Sequence, residues 1–191
     1  VVVGLNYVLA SGSPYRRLLL ERLNIKFEIR APDIDETQRL HESPEDLVNR
    51  LSKEKAWAVL KGPEDLIIGS DQLAVYNGNI EGKPLTRQKN IEQLKRFSGH
   101  SVVFLTGLYV IKSDNLRSRN KIVRTEIKFR KLQDCEIETY VASEPAYECA
   151  GGFKAEGLGI SLMESLISKD PTAIVGLPLI ALSSFLRELS I

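Results

Sequence analysis

The chain has 191 residues, enough for one domain with a substantial buried core, and its 43% hydrophobic and 27% charged content is ordinary for a globular protein. A formal net charge of +1 offers no bulk electrostatic case for nucleic acid or a membrane surface, and no apolar run is long enough to span a bilayer. Val1-Val2-Val3-Gly4 is too short for the apolar region of a signal peptide, and Cys135 and Cys149 form neither a disulfide framework nor a zinc motif. They read as reduced thiols of a cytoplasmic protein.

Tyr7-Val8-Leu9-Ala10 reads as the end of a first strand that begins near Val1 or Leu5. Ser11-Gly12-Ser13-Pro14 turns the chain into a helix that ends at Asn24, with Ser13 as N-cap and Pro14 at the first helical position. Strand, tight turn and helix N-terminus together aim backbone N–H groups at the turn, a geometry that favours phosphate. Arg16 and Arg17 are poorly placed for the helix dipole unless an anion offsets them; the alternative is a capped helix with two solvated arginines.

Ile25 to Ala31 reads as a second strand, followed by the acids Asp33, Asp35 and Glu36 in a short non-helical stretch. Hard oxygen ligands grouped in this way suit magnesium or manganese carrying a polyphosphate, although a solvated acidic loop has the same composition. Ser43-Pro44-Glu45-Asp46 opens a second helix, ended by Lys61-Gly62-Pro63. It carries Lys53 and Lys55, one of which can face a cleft, and Trp57, read as core or interface.

Ile67-Ile68-Gly69-Ser70-Asp71-Gln72 is the centre of the pattern. It reads as a buried strand broken by Gly-Ser, with an acid and an amide at the exit, where α/β sheets gather their ligands. A plain turn is the competing reading. Leu73 to Tyr76 continues extended, Asn77-Gly78 turns a hairpin, and Lys83 follows between Gly82 and Pro84, a constrained backbone that fixes its direction. Thr86 caps a third helix running to about Phe97. Ser101 to Lys112 and Lys121 to Arg130 read as an antiparallel pair, which makes the sheet mixed. Gln133 to Ala142 is a short helix, and residues 144–157 form a glycine-rich loop with Lys154 and Glu156. Leu158 to Met163 reads as a strand, and Leu179 to Leu189 as a terminal amphipathic helix.

These parts describe a site for a nucleotide polyphosphate with a divalent metal. The P-loop signature and GxGxxG are both absent, as is G-x-S-x-G, so NTPase motors, dinucleotide enzymes and Ser-His hydrolases are disfavoured. Without a protein nucleophile, the natural reaction is metal-assisted attack of water on phosphorus, with Asp71 as base and Lys83 and Arg16 stabilising charge.

Leu9-Ala10-Ser11-Gly12-Ser13-Pro14-Tyr15-Arg16-Arg17 resembles the opening signature of the Maf family of nucleoside triphosphate pyrophosphatases. Asp35-Glu36, Lys55-Ala56, Gly69-Ser70-Asp71-Gln72, Gly82-Lys83-Pro84 and Val175-Gly176-Leu177-Pro178 resemble further family motifs in order. The resemblance covers essentially the whole chain. It implies a single Maf/ITPase-like α/β domain over residues 1–191, an elongated mixed sheet flanked by helices, with two lobes around a deep nucleotide cleft, often dimeric. It also implies cleavage between the α and β phosphates with Mg2+ or a similar divalent ion. Ser70-Asp71-Gln72 and the run from Cys149 to Gly157 resemble the YceF-type subfamily, which acts on 7-methyl-GTP. A carboxylate at Glu156 can accept from the guanine N1–H and N2–H, and a cationic methylated base is attracted to an aromatic face. Tyr15 stands where that subfamily usually has tryptophan.

By this resemblance, Asp71 is the proton acceptor and shares the metal with Glu36. Ser11, Arg16, Lys55 and Lys83 hold the triphosphate. Tyr15, Gln72 and Glu156 set the base, and Lys154 lies near the phosphates or the base. Two rival readings stay open: a pyrophosphatase for other triphosphates such as dTTP, UTP or a purine, and a nucleotide-binding regulator of cell division. A nucleic-acid module has neither a basic stripe nor a stacking platform to support it.

Overall fold

Strand β1 (Asn6–Ala10) is apolar in every residue after Asn6, and β3 (Asp65–Tyr76) is apolar from Leu66 through Ile68, as expected of strands covered on both faces. The computed structural model describes residues 6–62 and 65–189 of the chain. The expected start of the first strand near Val1 or Leu5, and Pro63 at the end of the second helix, lie outside these residues.

In chain order the remaining elements are α1 (Pro14–Glu21), β2 (Phe27–Ile29), α2 (Pro44–Ala58), β4 (Asn79–Glu81), α3 (Arg87–Phe97), β5 (Ser101–Lys112), β6 (Ser118–Phe129), α4 (Asp134–Ser143), β7 (Met163–Ser168) and α5 (Leu179–Leu189). The sheet order is β2-β1-β3-β5-β6-β7, with β4 paired to β3 off this path. β1 runs parallel to β2 and β3, matching Leu9 with Ile29 and with Ile68, whereas β3–β4 and β6–β7 are antiparallel. The sheet is therefore mixed, as the sequence predicts.

The chain forms two compact units. The first comprises the described residues of 1–71, 106–123 and 170–191, and the second those of 72–105 and 124–169. In the first unit, Leu9, Ile68 and Leu108 pack with Leu20 of α1 and Leu182 and Phe185 of α5. Val8, Ile67 and Tyr109 pack on the other face with Ala56 of α2. Strand alternation assigns the two sets to opposite faces. Asp170 accepts from the backbone N–H groups of Ile180 (2.8 Å) and Ala181 (3.2 Å), which caps α5. In the second unit the core is aromatic: Tyr76 meets Phe97, Phe97 meets Phe129, and Phe153 meets both Phe129 and Phe104, with ring centroids 5.3–5.5 Å apart.

Several expectations are corrected. The Gly69-Ser70 pair does not break the strand: β3 continues through Asp71 to Tyr76. Helix α1 ends at Glu21, short of the expected Asn24, which instead adopts φ 52° in the turn beyond. Strand β2 keeps only Phe27–Ile29 of the seven residues expected. Leu158–Leu162 forms a 3₁₀ turn and β7 starts at Met163, because alternating apolar residues also serve a tight turn. Trp57 is 41% exposed rather than core, since α2 turns Val48, Ser52 and Ala56 to the sheet instead.

Candidate functional site

Helix α2 and strand β3 approach one another more closely than side chains would allow. A Cβ added at Gly69 would lie 2.2 Å from the carbonyl oxygen of Ser52, and one at Gly107 of β5 would lie 2.6 Å from that of Val48. Glycine at 69 is required by this approach, not by a turn. Asp71, two residues along β3, shares Gly69's face, and Lys55 sits one turn past Ser52 on α2. The ammonium of Lys55 thereby donates to Asp71 Oδ1 at 2.5 Å and to Glu36 Oε1 at 2.7 Å. Lys55 and Asp71 are buried, while Glu36 comes from an exposed loop.

Ser70 faces the other side of β3. Its hydroxyl lies 2.7 Å from the Gly107 carbonyl and 2.9 Å from that of Gly176. The Gly176 carbonyl also accepts from Arg16 Nε at 2.9 Å, and Arg16 Nη1 donates to Ser11 Oγ at 3.3 Å. Ser11 in turn accepts from the Ser13 backbone, and Ser13 Oγ caps α1 by accepting from Arg16 N. Burial pulls the Arg16 guanidinium below its usual value, and the charges of Asp71 and Glu36 oppose that shift. It stays charged, because arginine starts so high. Arg17, by contrast, pairs with Glu21 on the surface. The two arginines of the expected pair therefore part ways: one is tied to Ser11 and Gly176, the other is solvated.

In the second unit, Lys83 is exposed, with the Glu148 carboxylate 4.0 Å from its ammonium. The segment that carries it and the glycine-rich loop share an anchor on α3: Gln93 donates to the Gly82 carbonyl at 3.0 Å and Asn90 to the Gly152 carbonyl at 2.7 Å. Leu85 takes φ 62° beside Lys83, with Thr86 N donating to the Pro84 carbonyl across it. Lys154 N donates to the Tyr140 hydroxyl at 2.9 Å, and burial pushes that phenol above its usual range. Glu156 is exposed and Gln72 half-buried.

The structure thus brings Ser11 to Arg16, and Lys55 to both Glu36 and Asp71. Tyr15 is half-buried at the start of α1. Ser70 and Gly176 stand in motifs quoted from the sequence but were given no role there, and Arg50 was not singled out at all, since none looks chemically distinctive in a linear pattern. Among the described residues no group of three or more His, Cys, Asp and Glu side chains could hold a metal ion. A divalent cation would instead find two hard carboxylates, Glu36 and Asp71, already gathered by one ammonium. Such a donor set suits an ion that takes its other ligands from phosphate and water.

A family model described as Maf-like protein matches residues 6–189. The chain belongs to the Maf family. It is 51% identical over 182 residues to a protein named 7-methyl-GTP pyrophosphatase from Pseudomonas aeruginosa, covering 95% of each chain. It is 52% identical over 181 residues to a protein of the same name from Aromatoleum aromaticum, covering 94% of this chain and 93% of that one. Among solved structures, a HAM1 protein from Coxiella burnetii is 16% identical, with a TM-score of 0.49 over 96% of this chain and 99% of that chain.

Proposed function

We propose that this chain hydrolyses 7-methyl-GTP to 7-methyl-GMP and pyrophosphate. The observation that carries the reading is its identity of about one residue in two, over nearly the full length, with relatives named for that activity. The chemistry of the first unit agrees with it.

In this reading Asp71 accepts the proton of the attacking water, and Arg16, Lys55 and Lys83 offset charge on the triphosphate. Asp71 is suited to the role because β3 and α2 hold its carboxylate in a fixed place, so little reorganisation is needed. Arg16 is suited because Gly176 and Ser11 orient its fork before substrate arrives. Glu36 and Asp71 would hold a divalent cation such as Mg2+ or Mn2+, which supplies positive charge to the phosphate oxygens when bound. Ser11 binds phosphate, Tyr15 offers its ring to the base, and Gln72 and Glu156 read the base edge with Lys154 nearby. A single pyrophosphatase domain, a cytoplasmic location and a homodimer belong to the same proposal; no described helix is long and apolar enough to cross a membrane.

The test is pyrophosphate release from 7-methyl-GTP, GTP, dTTP, UTP and CTP with magnesium, with Asp71→Ala as control. The reading expects 7-methyl-GTP to lead and the variant to be inactive. Preference for dTTP or UTP would overturn the substrate and keep the reaction. Nucleotide binding without turnover would favour the regulator.

A further inference from the structure

The segment that presents Glu36 follows a half-buried Ile34 but carries no buried apolar side chain of its own. Residues 35–41 are all exposed, Leu40 by 87%, and the segment belongs to neither helix nor strand. Beyond Ile34, polar contacts hold the segment to the rest of the chain. One guanidinium supplies three of them. Arg50 of α2 donates from Nε to Glu42 Oε1 at 2.6 Å, and from Nη2 to Glu42 Oε2 and to the Thr37 carbonyl, both at 2.9 Å. Its Nη1 bonds Glu54 Oε2, one turn on along the same helix, at 2.9 Å. Glu42 also accepts from the Arg39 backbone at 2.9 Å, and Arg39 pairs with Glu54 at 3.0 Å. The side chains of Arg50 and Glu42 are only 12% and 9% exposed, so the fork is shielded from solvent on an otherwise open loop.

We propose that Arg50 is a positioning residue, clasping the 35–42 loop to α2 so that Glu36 meets Lys55 five residues further along the same helix. This rests on the role given above to Glu36. The clasp reaches Thr37, the residue next to Glu36, and its helix carries Lys55, so both ends of the Glu36–Lys55 contact are referred to one rigid element. A lysine at 50 could not replace it, because a single ammonium cannot bridge a carboxylate bidentately and reach a carbonyl as well.

The test uses the full chain and the variants Arg50→Lys, Arg50→Ala, Glu36→Gln and the double variant Arg50→Ala/Glu36→Gln. Hydrogen exchange is read first, without nucleotide or metal. Arg50→Ala should lower protection of the 35–42 amides about tenfold or more while β1, β3 and β5 keep theirs, as expected when only a local unit loosens. Arg50→Lys should loosen the loop too, while keeping the charge and the fold. Turnover of 7-methyl-GTP is read next, and each Arg50 variant should lose kcat with little change in KM. Because Arg50 acts through Glu36, the double variant should be no slower than Glu36→Gln alone, whereas a merely structural loss would add to it. Unchanged exchange in both Arg50 variants, or additive losses, would overturn the proposal. Full activity in Glu36→Gln would instead overturn the role of Glu36 itself, and a loosened loop would then show that the clasp exists without serving the reaction.

Discussion

The Lys55 ammonium lies 2.5 Å from the Asp71 carboxylate in a pair whose side chains are 7% and 8% exposed. Two buried charges meet there, and because Lys55 also reaches Glu36, it is removal of the ammonium that leaves a buried carboxylate stranded. Lys55→Met should lower unfolding stability by about 3 kcal/mol, the usual cost of breaking a buried pair from one side. Adding Asp71→Asn should recover part of that loss, because the stranded charge is gone. Urea midpoints of the two singles and the double close the cycle; a loss in the double equal to the summed singles would mean that the contact carries no coupling.

What a linear pattern shows well is chemistry repeated at a strand end or a helix cap. The caps Ser13, Ser43 and Thr86, each accepting from the backbone three residues on, were legible because capping is local. The mixed sheet was legible from apolar runs and alternation. The role of Gly69 was not, because its cause is Ser52 on another element, and a glycine required by a neighbour looks like one that makes a turn. Likewise the first turn of α1 alone does not show that Arg16 turns inward and Arg17 outward; the contact that separates them most clearly comes from Gly176, 160 residues away. Arg50 left one faint trace, its i,i+4 spacing to Glu54, which ordinary surface pairs share.

The close approach of α2 makes a second prediction. Gly69→Ala would drive a methyl group into the Ser52 carbonyl, and neither backbone can yield cheaply. We expect a loss of about 3 kcal/mol or more, in the range of overpacked cores, with loss of turnover as Lys55 is moved away from Asp71. Gly82→Ala is the matching control: a Cβ there meets nothing within 4 Å and its backbone is not left-handed. Its thermal midpoint should stay near that of the parent, within about 0.5 kcal/mol of stability. Equal effects at both positions would remove the role assigned to Gly69.

Gly176 joins conformation to the site. Its φ of 110° is one that other residues rarely adopt, and a Cβ would lie 3.4 Å from Arg16 Nε. Gly176→Ala should cost about 1–3 kcal/mol from backbone strain and, by displacing the carbonyl that orients Arg16, raise KM for the nucleotide. Ser70→Ala removes the other hydrogen bond to that carbonyl without straining φ. It should raise KM in the same direction but less, so steady-state kinetics on the two variants separates strain from orientation.

Acid should loosen the loop that carries Glu36. Hydrogen bonds from Arg50 hold the Glu42 carboxyl down to about 2, from an ordinary value of 4.5, with burial opposing and the Arg39 backbone assisting. A carboxyl depressed in the folded state contributes stability that is fully present above pH 4.5 and is lost as pH falls toward 2. Glu42→Gln should therefore flatten the decline of the urea midpoint across that window and leave the neutral and alkaline range with a constant offset. A decline as steep as the parent's would show that other carboxylates govern the acid limb.

Tyr15 carries the last prediction, on selectivity. Methylation at N7 gives the guanine a positive charge, and a ring face attracts a cation by about 0.5–2 kcal/mol, or roughly two- to thirtyfold in binding. Tyr15→Ala should therefore raise KM for 7-methyl-GTP by more than it raises KM for GTP, narrowing the preference between them. Tyr15→Trp should widen it, because indole presents the stronger face for a cation. The ratio of kcat/KM for the two nucleotides is the quantity to compare, since it cancels any shared loss of folded enzyme. If Tyr15→Ala weakens both substrates equally, the ring contributes apolar area alone, and the methylated base must be recognised through Glu156 and Gln72.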